Sequence, residues 1–112
     1  MSIVTTAAIP AASPHRPALG ALSALETVLS TAAVHGLPEV WAWRIGPVVG
    51  SDDLVISGQL LGDSVADIEA WAKALGGHVE GDRLRDGSIR IAACARIDGR
   101  DIEIWTTTES EA

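Results

Sequence analysis

Asp98-Gly99 lies between two alternating runs, Ile89 to Arg96 and Arg100 to Trp105. Asp-Gly in this setting is the strongest short-range signal for a two-residue β-hairpin, because both turn positions need positive φ and these residues tolerate it. A two-residue turn also sets a register. Ile97 closes with Arg100, Arg96 faces Asp101, Ala95 faces Ile102, Cys94 faces Glu103, Ala93 faces Ile104 and Ala92 faces Trp105. Side chains alternate across a strand, so the register defines two faces. One carries Ile89, Ile91, Ala93, Ala95, Ile97, Ile102 and Ile104 and is the expected core face. The small Ala93 and Ala95 leave room there for a helix to approach closely.

The preceding hairpin joins Val79–Arg83 to the Ile89 strand and admits two registers. A two-residue Asp86-Gly87 turn puts Glu80 and Asp82 on the face of Ile89 and Ile91, burying two carboxylates without partners. A three-residue loop with Gly87 left-handed shifts the register by one. Val79 then meets Ala93 on the core face, and Asp82 lies opposite Arg90 outside. The second register is the expectation, since a one-residue slip exchanges faces and only one exchange is tolerable.

Upstream, Pro17 suits a helix start, and Leu22, Leu25, Leu29 and Ala32/Ala33 recur at helical spacing up to His35 and Gly36. Val40 to Ile45 reads as a strand with Trp41, Trp43 and Ile45 on the core side. Leu54 to Leu61 reads as a second, in which Gly58 leaves a hole for a neighbouring Trp or marks a bulge. Ser64 with Asp67 caps a second helix, striped by Val65, Ile68, Trp71, Ala72 and Leu75 and ended by Gly76-Gly77. That helix returns the chain, so the third strand is expected to run parallel to the second. The fold expected is α+β, in the order α-β-β-α-β-β-β. Two helices pack on one face of a five-stranded, mixed, mostly antiparallel sheet, and the other face stays uncovered. Residues 1–16 read as a flexible arm, 17–107 as one domain and 108–112 as an acidic tail.

Composition narrows function by exclusion. The net charge is −7 over 112 residues, with seven Arg and one Lys. This argues against direct nucleic-acid binding, which needs clustered Lys and Arg, and against an anionic membrane surface. One cysteine, Cys94, excludes an internal disulfide and a zinc cluster built from cysteines. No run of about 18 uninterrupted apolar residues is present. The Ala-rich N-terminus lacks a basic region and is interrupted by Pro10, Pro14 and Pro17, so no signal peptide is expected and the expected location is cytoplasmic.

Three groups of residues could carry function. His78, Glu80 and Asp82 alternate on one strand and offer metal-ligating donors, although same-face positions on one strand splay about 7 Å apart. Asp52-Asp53 could hold a cation or cap a turn. Trp105 stands on the outer face near Arg90, with Arg96, Asp101 and Glu103 around it, an aromatic ringed by charges as at a binding hot spot. Its alternative is to lie over its strand neighbours and stack on Arg90. Cys94, facing Glu103, reads as an ordinary small residue. No nucleophile elbow, phosphate loop or HExxH motif is present, and no cofactor is expected.

The helix Asp67-Ile68-Glu69-Ala70-Trp71-Ala72-Lys73-Ala74-Leu75-Gly76 follows a Val-Ile-Ser strand and precedes an Ile-x-Ile-x-Trp hairpin. Over Leu54 to Trp105 this resembles small uncharacterised proteins of actinobacteria, their phages and mobile elements. The resemblance carries no catalytic residue and implies an accessory or regulatory protein that acts by binding. The leading expectation is therefore a non-enzymatic module that binds a protein partner, or a second copy of itself, through the outer face around Trp105 or the edge of the last strand. A metal- or ligand-dependent enzyme using His78, Glu80 and Asp82 is the alternative. An acidic decoy of a nucleic-acid-binding protein is another.

Overall fold

The computed structural model describes residues 13–47 and 54–108. Most of the arm, the Asp52-Asp53 pair and the end of the tail lie outside them. The elements are α1 (Arg16–His35), β1 (Val40–Pro47), β2 (Leu54–Leu60), α2 (Val65–Leu75), β3 (His78–Arg83), β4 (Ile89–Ile97) and β5 (Arg100–Thr108). They form the expected α+β order. The sheet order is β1-β2-β5-β4-β3, and only β2 with β5 is a parallel pair.

Both hairpin registers hold. The β4–β5 pairs run from Ile97 with Arg100 to Ile89 with Thr108 and include every pair derived from the turn. Asp98 and Gly99 both have positive φ, at 53° and 78°. The β3–β4 ladder pairs Val79 with Ala93 and Asp82 with Arg90, and Gly87 is left-handed at φ 88°. Asp86 secures that loop by accepting from the Ser88 N–H at 2.9 Å and its hydroxyl at 2.6 Å. These two hydrogen bonds hold the Asp86 carboxyl below its ordinary pKa.

Placement of the last strand differs from expectation. β5 is not an edge: it inserts between β2 and β4, pairing Ile56 with Ile102 and Gln59 with Trp105 on its second side. Ile102 and Ile104 are thereby buried at the sheet centre. β3 points the same way as β2, as the crossover predicted, but β5 and β4 lie between them. β5 also extends to Thr108. Thr106 is buried, and its hydroxyl donates to the Gly62 carbonyl at 2.6 Å. That one hydrogen bond satisfies the only buried polar side chain among the described residues.

Both helices cover one face. The core joins Ala21, Ala24 and Val28 of α1 with Ile68, Trp71 and Ala72 of α2, over Ile56, Leu60, Ala93, Ile102 and Ile104. In α1 the buried stripe is one residue off the leucine stripe expected. Leu22 and Leu29 are 52% and 47% exposed. The small Ala21-Ala24-Val28 side lets the helix lie close to its neighbours, and the leucines are left at the rim. By length and composition alone α1 could also cross a membrane; in this fold its Ala21-Ala24-Val28 stripe is fully buried and most of its other residues are exposed. Ser64 caps α2 by accepting from the Asp67 N–H, and Gly36 and Gly76 end the two helices in the left-handed conformation.

β1 departs from simple alternation. Val40 pairs with Leu60 and Ala42 with Gln59, so Trp41 is an extra residue in a bulge. Trp41 is 58% exposed and is not a core residue; Val40 packs on the core in its place. Trp43 returns to the core face opposite Gly58. A Cβ on Gly58 would lie 2.8 Å from the Trp43 ring, so the ring fills the glycine's hole as the sequence allowed.

Candidate binding face of the sheet

The five strands leave their outer face without a helix, and the registers arrange it in rows. One row runs Arg44, Ser57, Glu103, Cys94, His78; the next runs Ala42, Gln59, Trp105, Ala92, Glu80. Residues of all five strands thus share this face, and neighbours along each row, including those across the parallel β2–β5 seam, lie within side-chain reach.

Trp105 is half-buried and clamped. Its indole N–H donates to the Ser57 hydroxyl at 3.0 Å, and the Arg90 guanidinium lies 4.9 Å from its ring centre. Arg90 also pairs with Glu103. Three of the predicted interface residues, Arg90, Glu103 and Trp105, therefore form one unit. Arg96 and Asp101 share the face but pair with each other at 3.1 Å near the turn, where Arg96 also donates to the Gly99 carbonyl at 2.6 Å. Beside Trp105 lies a concavity of about 470 Å³, walled by Ala42, Arg44, Ser57, Gln59, Arg90 and Trp105. Arg44 is exposed and has no ion-pair partner among the described residues.

The predicted donor set on β3 divides. His78 Nε2 lies 2.5 Å from Glu80 Oε2. Asp82 does not join them; it sits a further step along β3, in the row of Arg90. The splay of one strand explains this. The third donor comes from across the ladder instead. Cys94 pairs with His78, and the His78, Glu80 and Cys94 donor atoms all lie within 4.8 Å of one another. The β3–β4 register already implied the pairing of His78 with Cys94, and attention to donors on one strand alone missed it. Ser57, Ala42 and Arg44 were also missed, for they reach the site only through the nonlocal β2–β5 pairing.

Burial pushes the Cys94 thiol above its ordinary pKa, and the nearby Glu80 and Glu103 carboxylates push it the same way. The metal-free thiol is therefore a poor nucleophile at neutral pH. Folded protein held in chelator is expected to alkylate more slowly at Cys94 than urea-unfolded protein, with the rate rising only at higher pH than in the unfolded chain. A pH series with iodoacetamide checks this, and an equal or faster rate in the folded state contradicts it. A group whose folded pKa is raised favours the folded state while protonated. This contribution is intact below the unfolded thiol pKa and is lost as pH rises through the folded one.

Searches against protein-family models, curated proteins and solved structures find no match for this chain.

Proposed function

We propose that this protein is a non-enzymatic interaction or regulatory module that takes a protein partner on its outer sheet face, centred on Trp105. The observation that supports this most is the clamped indole. An aromatic anchor already held by Ser57 and Arg90 loses little rotamer freedom when a partner covers it. The adjoining concavity and Arg44, which has no ion-pair partner among the described residues, add a pocket and a charge that a partner's acidic side chain can meet.

The face is favoured over the edges for a physical reason. The edge strands are β1 and β3. All six residues of β3 are exposed, and four of them are His78, Glu80, Asp82 and Arg83. β1 carries a bulge at Trp41 and ends in Pro47. Charges, bulges and proline are the devices that discourage edge-to-edge pairing.

Affinity capture from the native host identifies the partner, and a Trp105→Ala, Arg44→Glu double variant tests the face. The expected result is a loss of affinity of about 30-fold or more, corresponding to an anchor's share of about 2 kcal/mol, with the circular dichroism spectrum and melting curve of a folded protein. A folded double variant that keeps full affinity overturns the proposal.

A further inference from the structure

We infer that His78, Glu80 and Cys94 form a binding site for a zinc-class divalent cation, independent of any protein partner around Trp105. The three donors come from two paired strands, and their mutual separations of at most 4.8 Å are close to those of ligands around one ion. Zinc ligands at about 2.0–2.3 Å from the metal stand under 4 Å apart, so small rotamer changes suffice. Those changes are open to them: the His78 and Glu80 side chains are about two-thirds exposed, at 65% and 64%, and no helix covers this face. The donor set of one imidazole, one carboxylate and one thiolate selects zinc and its soft neighbours over magnesium or calcium, which prefer oxygen alone.

The surroundings favour a cation. Glu103 stands opposite Cys94 in the same row, and Asp101 lies one same-face step further along β5. The two guanidiniums on this side are engaged elsewhere: Arg90 is directed to Glu103 and to the Trp105 ring, and Arg96, which also lines the concavity beside the cluster, to Asp101 and the Gly99 carbonyl. A concavity of about 490 Å³ opens beside the cluster, lined by His78, Glu80, Cys94, Asp101 and Glu103 among others. It leaves space for water as a fourth ligand. The scaffold is firm on one side: Gly77 packs directly on the Cys94 backbone, holding the start of β3 against β4. On binding, the hydrogen bond between His78 and Glu80 breaks, Cys94 releases its proton to solvent, and a metal–sulfur bond forms. No oxidant or reductant is needed.

Cobalt(II) titration of the full chain, stripped of metal and kept reduced, tests the site directly. One equivalent is expected to produce the near-ultraviolet thiolate-to-cobalt charge-transfer band together with intense visible bands of tetrahedral cobalt, both displaced by zinc. Cys94→Ser is expected to abolish the charge-transfer band. His78→Ala and Glu80→Gln are expected to weaken binding about tenfold or more. Asp82→Asn is expected to change nothing. Absence of the band in the wild-type protein at saturating cobalt overturns the inference whatever the variants do. So does a band that persists at unchanged affinity in His78→Ala. Should a variant unfold, amide shift changes in the wild-type protein on zinc addition decide instead. Changes centred on residues 77–80 and 93–95 uphold the site, and changes elsewhere overturn it.

Discussion

Trp71→Ala is expected to cost about 4 kcal/mol of folding stability, within the range for deleting a buried Trp side chain. Trp71 is 1% exposed and is the largest fully buried side chain among the described residues. Its ring meets Trp43 edge-on, with centroids 6.4 Å apart and planes at 75°. Its indole N–H donates to the Pro38 carbonyl at 3.1 Å, tying α2 to the segment that leads into β1. Truncation removes the apolar surface, opens a cavity between the helices and the sheet, and leaves the Pro38 carbonyl without its donor. Phe and Tyr are absent from the chain, and the neighbouring Trp43 already fills the space over Gly58. A domain of this size has roughly 5–15 kcal/mol in total, so the loss is a large fraction of it. Thermal unfolding should show the midpoint falling by about 20 °C. Trp71→Phe keeps most of the packing and should lose only about 1–2 kcal/mol, chiefly the hydrogen bond. A drop of less than about 5 °C for the alanine variant would contradict this account of the core.

Gly77→Ala is expected to cost about 3 kcal/mol, at the upper end of what overpacking does. Only a hydrogen fits there. A Cβ at this position would overlap the Cys94 carbonyl oxygen and stand 2.9 Å from the Ala95 Cβ. These atoms belong to β4, which is paired on both sides and cannot retreat. Gly20→Ala is the control. The three atoms nearest its added methyl all belong to the Arg100 guanidinium, the far end of a flexible side chain, and helix propensity favours alanine there. It should change stability by less than about 1 kcal/mol. Urea unfolding of both variants separates the cases, and equal midpoints would contradict the close approach at Gly77. Because Gly77 seats the start of β3 on Cys94, its variant should also disturb cation binding by His78 and Cys94.

Local chemistry made much of this fold legible. Asp98-Gly99 and Gly87 have left-handed backbones that few residues tolerate, so each announced its turn, and each turn set a register. The register expected for the β3–β4 hairpin is the observed one, but not for the expected reason. β3 is exposed along its length, Val79 at 42%, so carboxylates on its inner face would have stayed in solvent, and the loop closed by Asp86 with Gly87 left-handed sets the register. Helix ends at Gly36 and Gly76 were equally visible. The α1 stripe was less so. Leucines and small apolar residues both recur at helical spacing, and only the space above the sheet decides which set turns inward. The bulge at Trp41 had no local mark beyond Gly58 on the facing strand.

The sequence by itself determined the elements, the two hairpins and the face on which Trp105, Arg90 and Glu103 stand. Turns and alternation act over a few residues, and their energetics are written in those residues. Only the tertiary structure decided that β5 enters the middle of the sheet beside β2. That parallel pairing joins residues more than forty positions apart, and its stability comes from burying Ile102 and Ile104 between two neighbours, which no local pattern records. From that placement follow the Ser57 clamp on Trp105 and the Arg44 concavity. Cys94 falls between the two cases: the ladder that pairs it with His78 was readable, but their convergence with Glu80 on one point is a matter of side-chain reach in three dimensions.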